Sequence, residues 1–269
     1  MSGTGDSAFS GSVPAAYDRY LVPLLFEPYA DDMARRAARL APGTLLEVAA
    51  GTGVVTRRLA DALPEARITA TDLNPDMLAF VRPLESARIA VAVADAQALP
   101  FGDALFDLVV CQYGYMFVPD RTLAYREAAR VLKRGGRILF NVWDDIADND
   151  AAHALNLALA EAFPDDPPRF FERGPFSYHD HALIEAELDA AGFDDIAIER
   201  VELTSPLADP SGAIAGFIEG SPMAAELAER DPAVVAAAVD RALSAIAGRL
   251  RAGPLRMAAL VVTAGMPEA

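Results

Sequence analysis

The chain has 269 residues, 39 acidic and 23 basic, giving a formal net charge of −16; 53% of residues are hydrophobic and 23% charged. This composition belongs to a folded globular chain of one large domain, or one domain with a smaller lobe, and not to a disordered one. The acid excess weighs against a nucleic-acid surface, which needs clustered Lys and Arg, and the single Cys111 excludes a disulfide framework or multi-cysteine metal site.

The first basic residue is Arg19, after a polar Ser/Gly-rich start, so no charged segment precedes an apolar stretch as in an export signal. No apolar run reaches the roughly 18 charge-free residues that a membrane span needs. A soluble, cytoplasmic protein with no membrane partner is expected, and the sequence leaves a homodimer open.

Residues 1–16 are small and polar and are expected to be flexible or loosely docked. Residues 17–40 read as helical, with Asp31 or Asp32 capping 33–40 and Pro42-Gly43 ending the run. A regular alternation follows. Residues 44–49 form a short apolar run that stops at a Gly-rich turn, and 54–63 read as a helix. Residues 67–71 are a second strand, followed by a helix that Asn74-Pro75 opens, a cap with Pro at the first helical position. Residues 89–94 and 106–111 are the third and fourth strands. A helix at 121–132, ended by Gly135-Gly136, leads to a fifth strand at 138–142. Short apolar strands alternating with helices imply crossovers and a mostly parallel sheet covered on both faces.

Beyond residue 143 the rhythm loosens. Helices are expected at 149–163 and 180–191, a Pro-rich loop at 164–175 and an alternating strand at 196–203. Asp231-Pro232 caps a long helix with Val235, Val239, Leu243, Ile246 and Leu250 on one face, and 255–264 is a last strand. The stretches 144–180 and 205–232 exceed what a sheet needs, and long segments of that kind often carry binding function.

The most informative residues are Glu47-Val-Ala-Ala-Gly51-Thr52-Gly53. Glycines at a strand-to-helix turn allow tight bending and close approach of a ligand to the main chain, beside the free N–H groups of the next helix. Asp72 follows Gly51 by 21 residues, at the end of the second strand, where its carboxylate can accept from both hydroxyls of a ribose. Together they point to a nucleoside cofactor; the plainer alternative is a turn that merely packs. A dinucleotide fingerprint would carry Gly or Ala at the sixth position, which here is Thr56. Glu47, four residues before Gly51, suits a cationic amino-acid ligand better than a pyrophosphate.

This segment closely resembles the E/D-x-G-x-G-x-G loop of class I S-adenosylmethionine (SAM)-dependent methyltransferases, with Ala49 at the first glycine position. The resemblance continues through Thr71-Asp72-Leu-Asn-Pro-Asp-Met77, Ala94-Asp95-Ala-Gln-Ala-Leu-Pro-Phe101, Phe106-Asp107 and Arg130-Val-Leu-Lys-Arg-Gly-Gly136, and ends at Gly192-Phe193. Its flavour is that of the small-molecule enzymes of the ubiquinone/menaquinone-biosynthesis type. Residues 44–142 match in order and spacing; the remainder agrees in topology.

The resemblance implies a Rossmann-like, doubly wound α/β fold with a seven-stranded, mostly parallel sheet, its last strand antiparallel. It also implies a helical cap from 17–40, 144–180 and 205–232 over a core at 44–142, within one domain at 17–269. Gly51 and Gly53 would border the methionine part of SAM, with Thr52 between them and Glu47 behind the turn near the amino group. Asp72 would hold the ribose, Leu73 would pack on the adenine, Asp95 and the Ala96 backbone would read its edge, and Met77 would also lie at the cofactor. Gln112 would lie near the methionine part, facing the substrate, while Tyr17 and Tyr20 sit where an N-terminal helix often folds over the cofactor. The implied activity is SAM-dependent methyl transfer to oxygen or carbon of a small acceptor, leaving S-adenosylhomocysteine (SAH). The alternatives are an NAD(P)-dependent oxidoreductase and a SAM-fold protein that uses SAM without transfer.

Methyl transfer from a sulfonium is an in-line displacement in which positioning supplies much of the acceleration. A base is needed only if the acceptor must lose a proton. His153, on the helix after the fifth strand, is a candidate base, or else a polar helix residue. His179 and His181 flank Asp180, which reads better as a helix cap than as part of a metal site, so no metal is expected. Asp144 and Asp145 could polarise a hydroxyl but read more simply as surface carboxylates. Trp143, Tyr113, Tyr115, Phe117, Phe170 and Phe171 could line an apolar or aromatic acceptor pocket, or pack in the core. Cys111 reads as an inert small hydrophobe.

Overall fold

A computed structural model describes residues 11–268. Its sheet has seven strands in the order β3-β2-β1-β4-β5-β7-β6. The strands are β1 Thr44–Glu47, β2 Arg67–Asp72, β3 Ile89–Val93, β4 Phe106–Gln112, β5 Leu132–Trp143, β6 Asp194–Thr204 and β7 Arg256–Gly265. β1 to β5 pair in parallel, and β7 inserts antiparallel between β5 and β6, as the resemblance implies. The middle strands are apolar runs buried from both faces: Leu45 and Leu46 in β1, Leu108 to Val110 in β4, Ile138 to Phe140 in β5. β6, at the edge, alternates between half-buried and exposed positions.

The helices are α1 Val13–Ala16, α2 Glu27–Leu40, α3 Val54–Ala62, α4 Pro75–Val81, α5 Arg121–Val131, α6 Asp150–Ala162, α7 Phe170–Arg173, α8 His181–Ala190, α9 Pro210–Glu219, α10 Met223–Ala228 and α11 Pro232–Ala252. Asn74 caps α4 by accepting from the Asp76 N–H, and Asp180 and Asp231 cap α8 and α11 in the same way. Among the described residues no helix is long and apolar enough to cross a membrane.

Three local expectations change. Residues 1–10 lie outside the described residues, but 11–16 are not loose: Val13–Ala16 is already helical, with Pro14 buried. Asp31 and Asp32 cap nothing, because α2 runs continuously through them. Asp31 instead accepts from Arg58 at 2.6 Å and Asp32 from Arg36 at 2.6 Å. Gly135-Gly136 does not separate α5 from the next strand; β5 begins at Leu132, and the glycines lie inside it. The β4–β5 register there jumps from Phe106↔Leu132 to Leu108↔Arg137, a bulge that Gly135 permits at φ +69°. The segment 205–232 holds two helices, α9 and α10.

The segment Tyr17–Phe26 between α1 and α2 is a π-helix with Pro23 inside it. Its wider turn closes through the Glu27 N–H to the Val22 carbonyl, and Pro23 has no N–H to supply to any ladder. This stretch lies against α9. A Cβ on Gly216 would meet Leu21 at 2.6 Å, and one on Gly220 would meet the Tyr17 nitrogen at 3.0 Å, so glycine is what allows the close approach. On α11 the buried line is Ala238, Ala242 and Ile246, with the expected Val235, Val239, Leu243 and Leu250 half-buried beside it. Small residues at its centre let α11 pack closely on α6. Tyr29 fastens α2 to the sheet, its hydroxyl donating to the carbonyls of Met257 at 2.9 Å and Val201 at 3.1 Å.

Candidate functional site

Five parallel strands bring their carboxyl ends to one edge, where the last residues of each strand or the loop after it line a common cavity. These are Val48, Ala49 and Gly51 after β1, Asp72 and Leu73 at β2, Asp95 and Ala96 after β3, Gln112 and Tyr113 at β4, and Trp143 in β5. The empty space, counted out to its open mouth, is about 1440 Å³.

The glycine turn is built by its neighbours. The Gly51 N–H donates to Asp72 Oδ2 at 2.8 Å, and the Asn74 N–H donates to Asp72 Oδ1 at 2.8 Å, so one carboxylate joins the ends of β1 and β2. Gly51 has φ +56°, and a Cβ there would meet nothing within 4 Å, leaving space open above the main chain. Gly53, at φ +81°, is instead crowded: a Cβ would meet Val81 at 3.0 Å. Ala49 has the left-handed φ of +54° that a glycine would adopt more easily, consistent with its place at the first glycine position of the motif.

Glu47 sits behind this turn and does not reach the cavity wall. It is 1% exposed, and its Oε2 accepts from the Thr56 hydroxyl at 2.6 Å. Burial pushes its carboxyl up to about 8; the Thr56 hydroxyl pulls it down, and the Asp72 charge adds to the rise. The side chain therefore fastens β1 to α3, and Thr71 reinforces the junction by donating to the Glu47 carbonyl at 2.8 Å.

Of the other residues that the sequence singles out, Met77 also lines the cavity. Asp95 is fixed there by the Gln97 N–H, which donates to its Oδ1 at 2.8 Å. Gln112 donates from Nε2 to the Phe26 carbonyl at 3.2 Å, while its buried Oε1 has no partner. Thr52 and Gly53 lie in the turn but off the wall, and the Thr52 hydroxyl is buried without a partner. Tyr17 is on the wall and Tyr20 is not: Tyr20 turns away and lies under the Arg19 guanidinium, 5.0 Å from ring to cation. His153 is also off the wall. Its helical neighbours Asn149, Ala151 and Ala152 face the cavity, and at 100° per residue the next position has rotated out.

Asp144 accepts from Arg200 at 2.6 Å and Asp145 caps a single turn at Ile146–Asp148, so neither points into the cavity. Cys111 is buried, and burial pushes its thiol up to about 12. Tyr115 packs on Tyr125 and Phe140 in the core, whereas Tyr113, Phe117, Trp143, Phe170 and Phe171 do line the cavity.

The sequence reading misses several wall residues: Leu21, Leu25 and Phe26 of the π-helix, Phe176, Phe217 of α9, and Leu255 to Met257 at the start of β7. Apolar positions on cap helices read simply as packing, since no local spacing separates a face that touches the sheet from one that touches a ligand.

A strand-end glycine turn joined to an acidic residue on the next strand, in a doubly wound sheet, defines a nucleoside-cofactor protein. Residues 46–140 match the family model described as a methyltransferase domain. The chain is similar to the malonyl-[acyl-carrier protein] O-methyltransferase of Geobacter sulfurreducens, 34% identical over 163 residues that make up 58% of each chain. It is 30% identical over 172 residues to the demethylmenaquinone methyltransferase of Mycolicibacterium vanbaalenii, covering 60% of this chain and 73% of that relative. The fold also resembles the solved [4+2]-cyclase SpnF, with a TM-score of 0.56, 20% identity and coverage of 91% of this chain and 82% of that one. The chain belongs to the class I SAM-dependent methyltransferases, and SAM is the cofactor of that family. The match spans 58% of the Geobacter relative, less than two thirds of its length.

Proposed function

We propose that this is a cytoplasmic enzyme that methylates oxygen or carbon of a small, apolar or aromatic acceptor with SAM as donor, mainly by positioning. The observation that carries the reading is one continuous cavity. Its strand-end side holds Gly51, Asp72, Asp95 and Gln112, and its far side is walled by aromatic residues of the cap. The residues fit the cofactor: the space above Gly51 is open, and the buried Gln112 Oε1 has an unmet need for a donor. Asp72 would hold the ribose hydroxyls, Leu73 and Met77 the adenine face, and Asp95 with the Ala96 backbone the adenine edge. Bound SAM supplies a methyl group on a positively charged sulfur, a leaving group already activated for displacement. The chain's own part is to orient the acceptor, exclude water and hold the two together; segments 17–40, 144–180 and 205–232 act as the cap that does so. Glu47 and Gly53 contribute by shaping the turn. Relatives named as an O-methyltransferase and as a demethylmenaquinone methyltransferase support oxygen or carbon as the target.

The test is thermal denaturation with SAH or NAD(P), then incubation with SAM and candidate acceptors, following SAH release. Ligand at a hundred times its Kd stabilises by about 2.7 kcal/mol. SAH is expected to raise the melting temperature and NAD(P) to leave it unchanged. A shift with NAD(P) alone refutes the proposal.

A further inference from the structure

We propose that Tyr113 is the specificity-determining residue for the acceptor, and that the acceptor is a planar aromatic molecule bearing an oxygen that accepts a hydrogen bond from the Tyr113 hydroxyl. The inference rests on the methyltransferase reading only in naming this ligand the acceptor.

The cavity wall contributed by the cap and by the ends of β4 and β5 is aromatic, with Phe26, Tyr113, Trp143, Phe171, Phe176 and Phe217 on it. Flat faces favour a flat ligand, because rings stack or meet edge to face at centroid separations of about 4.5–7 Å. Polar side chains on this wall are occupied by the protein itself. Ser205 donates to the Leu24 carbonyl at 2.8 Å and accepts from the Leu207 N–H at 3.2 Å. Ser221 donates to the Phe217 carbonyl and accepts from Met223. Asn149 donates to the Ala258 carbonyl at 3.2 Å and accepts from its N–H at 3.1 Å. The Arg256 guanidinium is paired with the buried Asp150.

Among the described residues, two side chains on the cavity wall keep a buried polar atom without a partner, Gln112 and Tyr113. The resemblance puts Gln112 near the methionine part of the cofactor, and on that assignment the Tyr113 hydroxyl is left for the acceptor. Tyr113 is 6% exposed, and a buried hydroxyl without a partner is rare unless a ligand completes it.

Two further features hold this side chain in place. Its backbone is left-handed, φ +54°, an unusual state for an aromatic residue and one that concentrates at binding sites. The Tyr113 N–H is gripped by both the carbonyl and the side-chain oxygen of the fully buried Asn141, each at 3.1 Å. Its ring stacks on Trp143 at 3.9 Å and 11°, with Tyr29 edge-on at 5.7 Å and Phe26 at 5.5 Å. Burial, then the neighbouring Tyr29, Tyr17 and Asp32, keep the phenol protonated far above neutral pH. Tyr113 is thus a neutral hydrogen-bonding hydroxyl and not a base, and in the proposed complex it donates to the ligand's oxygen.

Calorimetric titration of 2-naphthol and its isostere 2-methylnaphthalene, with and without SAH, tests this in the wild-type protein and in Tyr113→Phe. Wild-type protein is expected to bind the naphthol roughly two- to twelvefold more tightly, the range of one neutral hydrogen bond. Tyr113→Phe is expected to bring that ratio close to one by weakening the naphthol alone, with SAH affinity unchanged. Equal affinity for the two probes in the wild type, equal loss of both in the variant, or no binding of either overturns the proposal. Failure of SAH to bind instead refutes the methyltransferase reading, and the naphthol preference measured without SAH still judges Tyr113.

Discussion

Replacing Glu47 by glutamine is expected to change how stability depends on pH. In the folded chain the carboxyl is buried and pushed up to about 8 from its ordinary 4.5. Between these values the unfolded chain has released the proton while the folded chain still holds it. The folded state therefore binds more protons, and stability falls as pH rises. Glu47's contribution is fully present below pH 4.5 and is lost as pH passes through about 8. The slope approaches ~1.4 kcal/mol per pH unit, the equivalent of one proton, so about 2–4 kcal/mol is the expected order of the change between about pH 5 and 8. The substituted amide has nothing to titrate, and its oxygen can still accept from the Thr56 hydroxyl. Every other titrating group is common to both proteins, so the difference between the two isolates this one. Urea unfolding of ligand-free protein at about pH 5, 6, 7 and 8 and fixed ionic strength measures it. The wild type should lose stability relative to Glu47→Gln at each step upward; parallel profiles, or a wild type that gains, refute the reasoning.

Asp72→Ala removes both the proposed ribose acceptor and the bonds to the Gly51 and Asn74 N–H groups. SAH affinity measured by calorimetry should fall about tenfold to a hundredfold, since hydrogen bonds to a charged group contribute roughly 1.5–3 kcal/mol; unchanged affinity in a folded variant would count against the site. Gly114→Ala places a Cβ 2.5 Å from Cys111 Sγ and 2.6 Å from Ala49 Cβ, so overpacking should cost about 1–3 kcal/mol in urea unfolding. Tyr29→Phe deletes the hydroxyl shared by the Met257 and Val201 carbonyls and should destabilise by about 1–3 kcal/mol while leaving SAH affinity alone.

The central strands β1, β4 and β5 were legible because each holds a short apolar run, and burial of a strand from both faces imposes that pattern. The strand-end residues of the cavity were legible for a related reason. Gly51, Asp72 and Asp95 take their places from the backbone at strand ends, and strand ends can be located in sequence. Glu47 shows the limit: its place in the strand was evident, but which way its buried carboxyl turns depends on Thr56, nine residues on in the next helix. Tyr20 and His153 lie off the cavity wall, because which face of a helix meets the cavity is chosen by packing and not by local spacing. The rest of the wall combines Phe26, Trp143, Phe217 and Met257, far apart in the chain, so no local pattern could bring them together.

The place of β7 sets an order on how the molecule is made. β7 lies between β5 and β6, so β6 has no neighbour in the sheet until residues 256–265 have been synthesised. Strands β1 to β5 all precede residue 144, whereas Leu255 and Met257, which also wall the cavity, come near the end of the described residues. The residues of the glycine turn and its partner strand are thus available to pair early, whereas the cavity wall is complete only once β7 has joined the sheet.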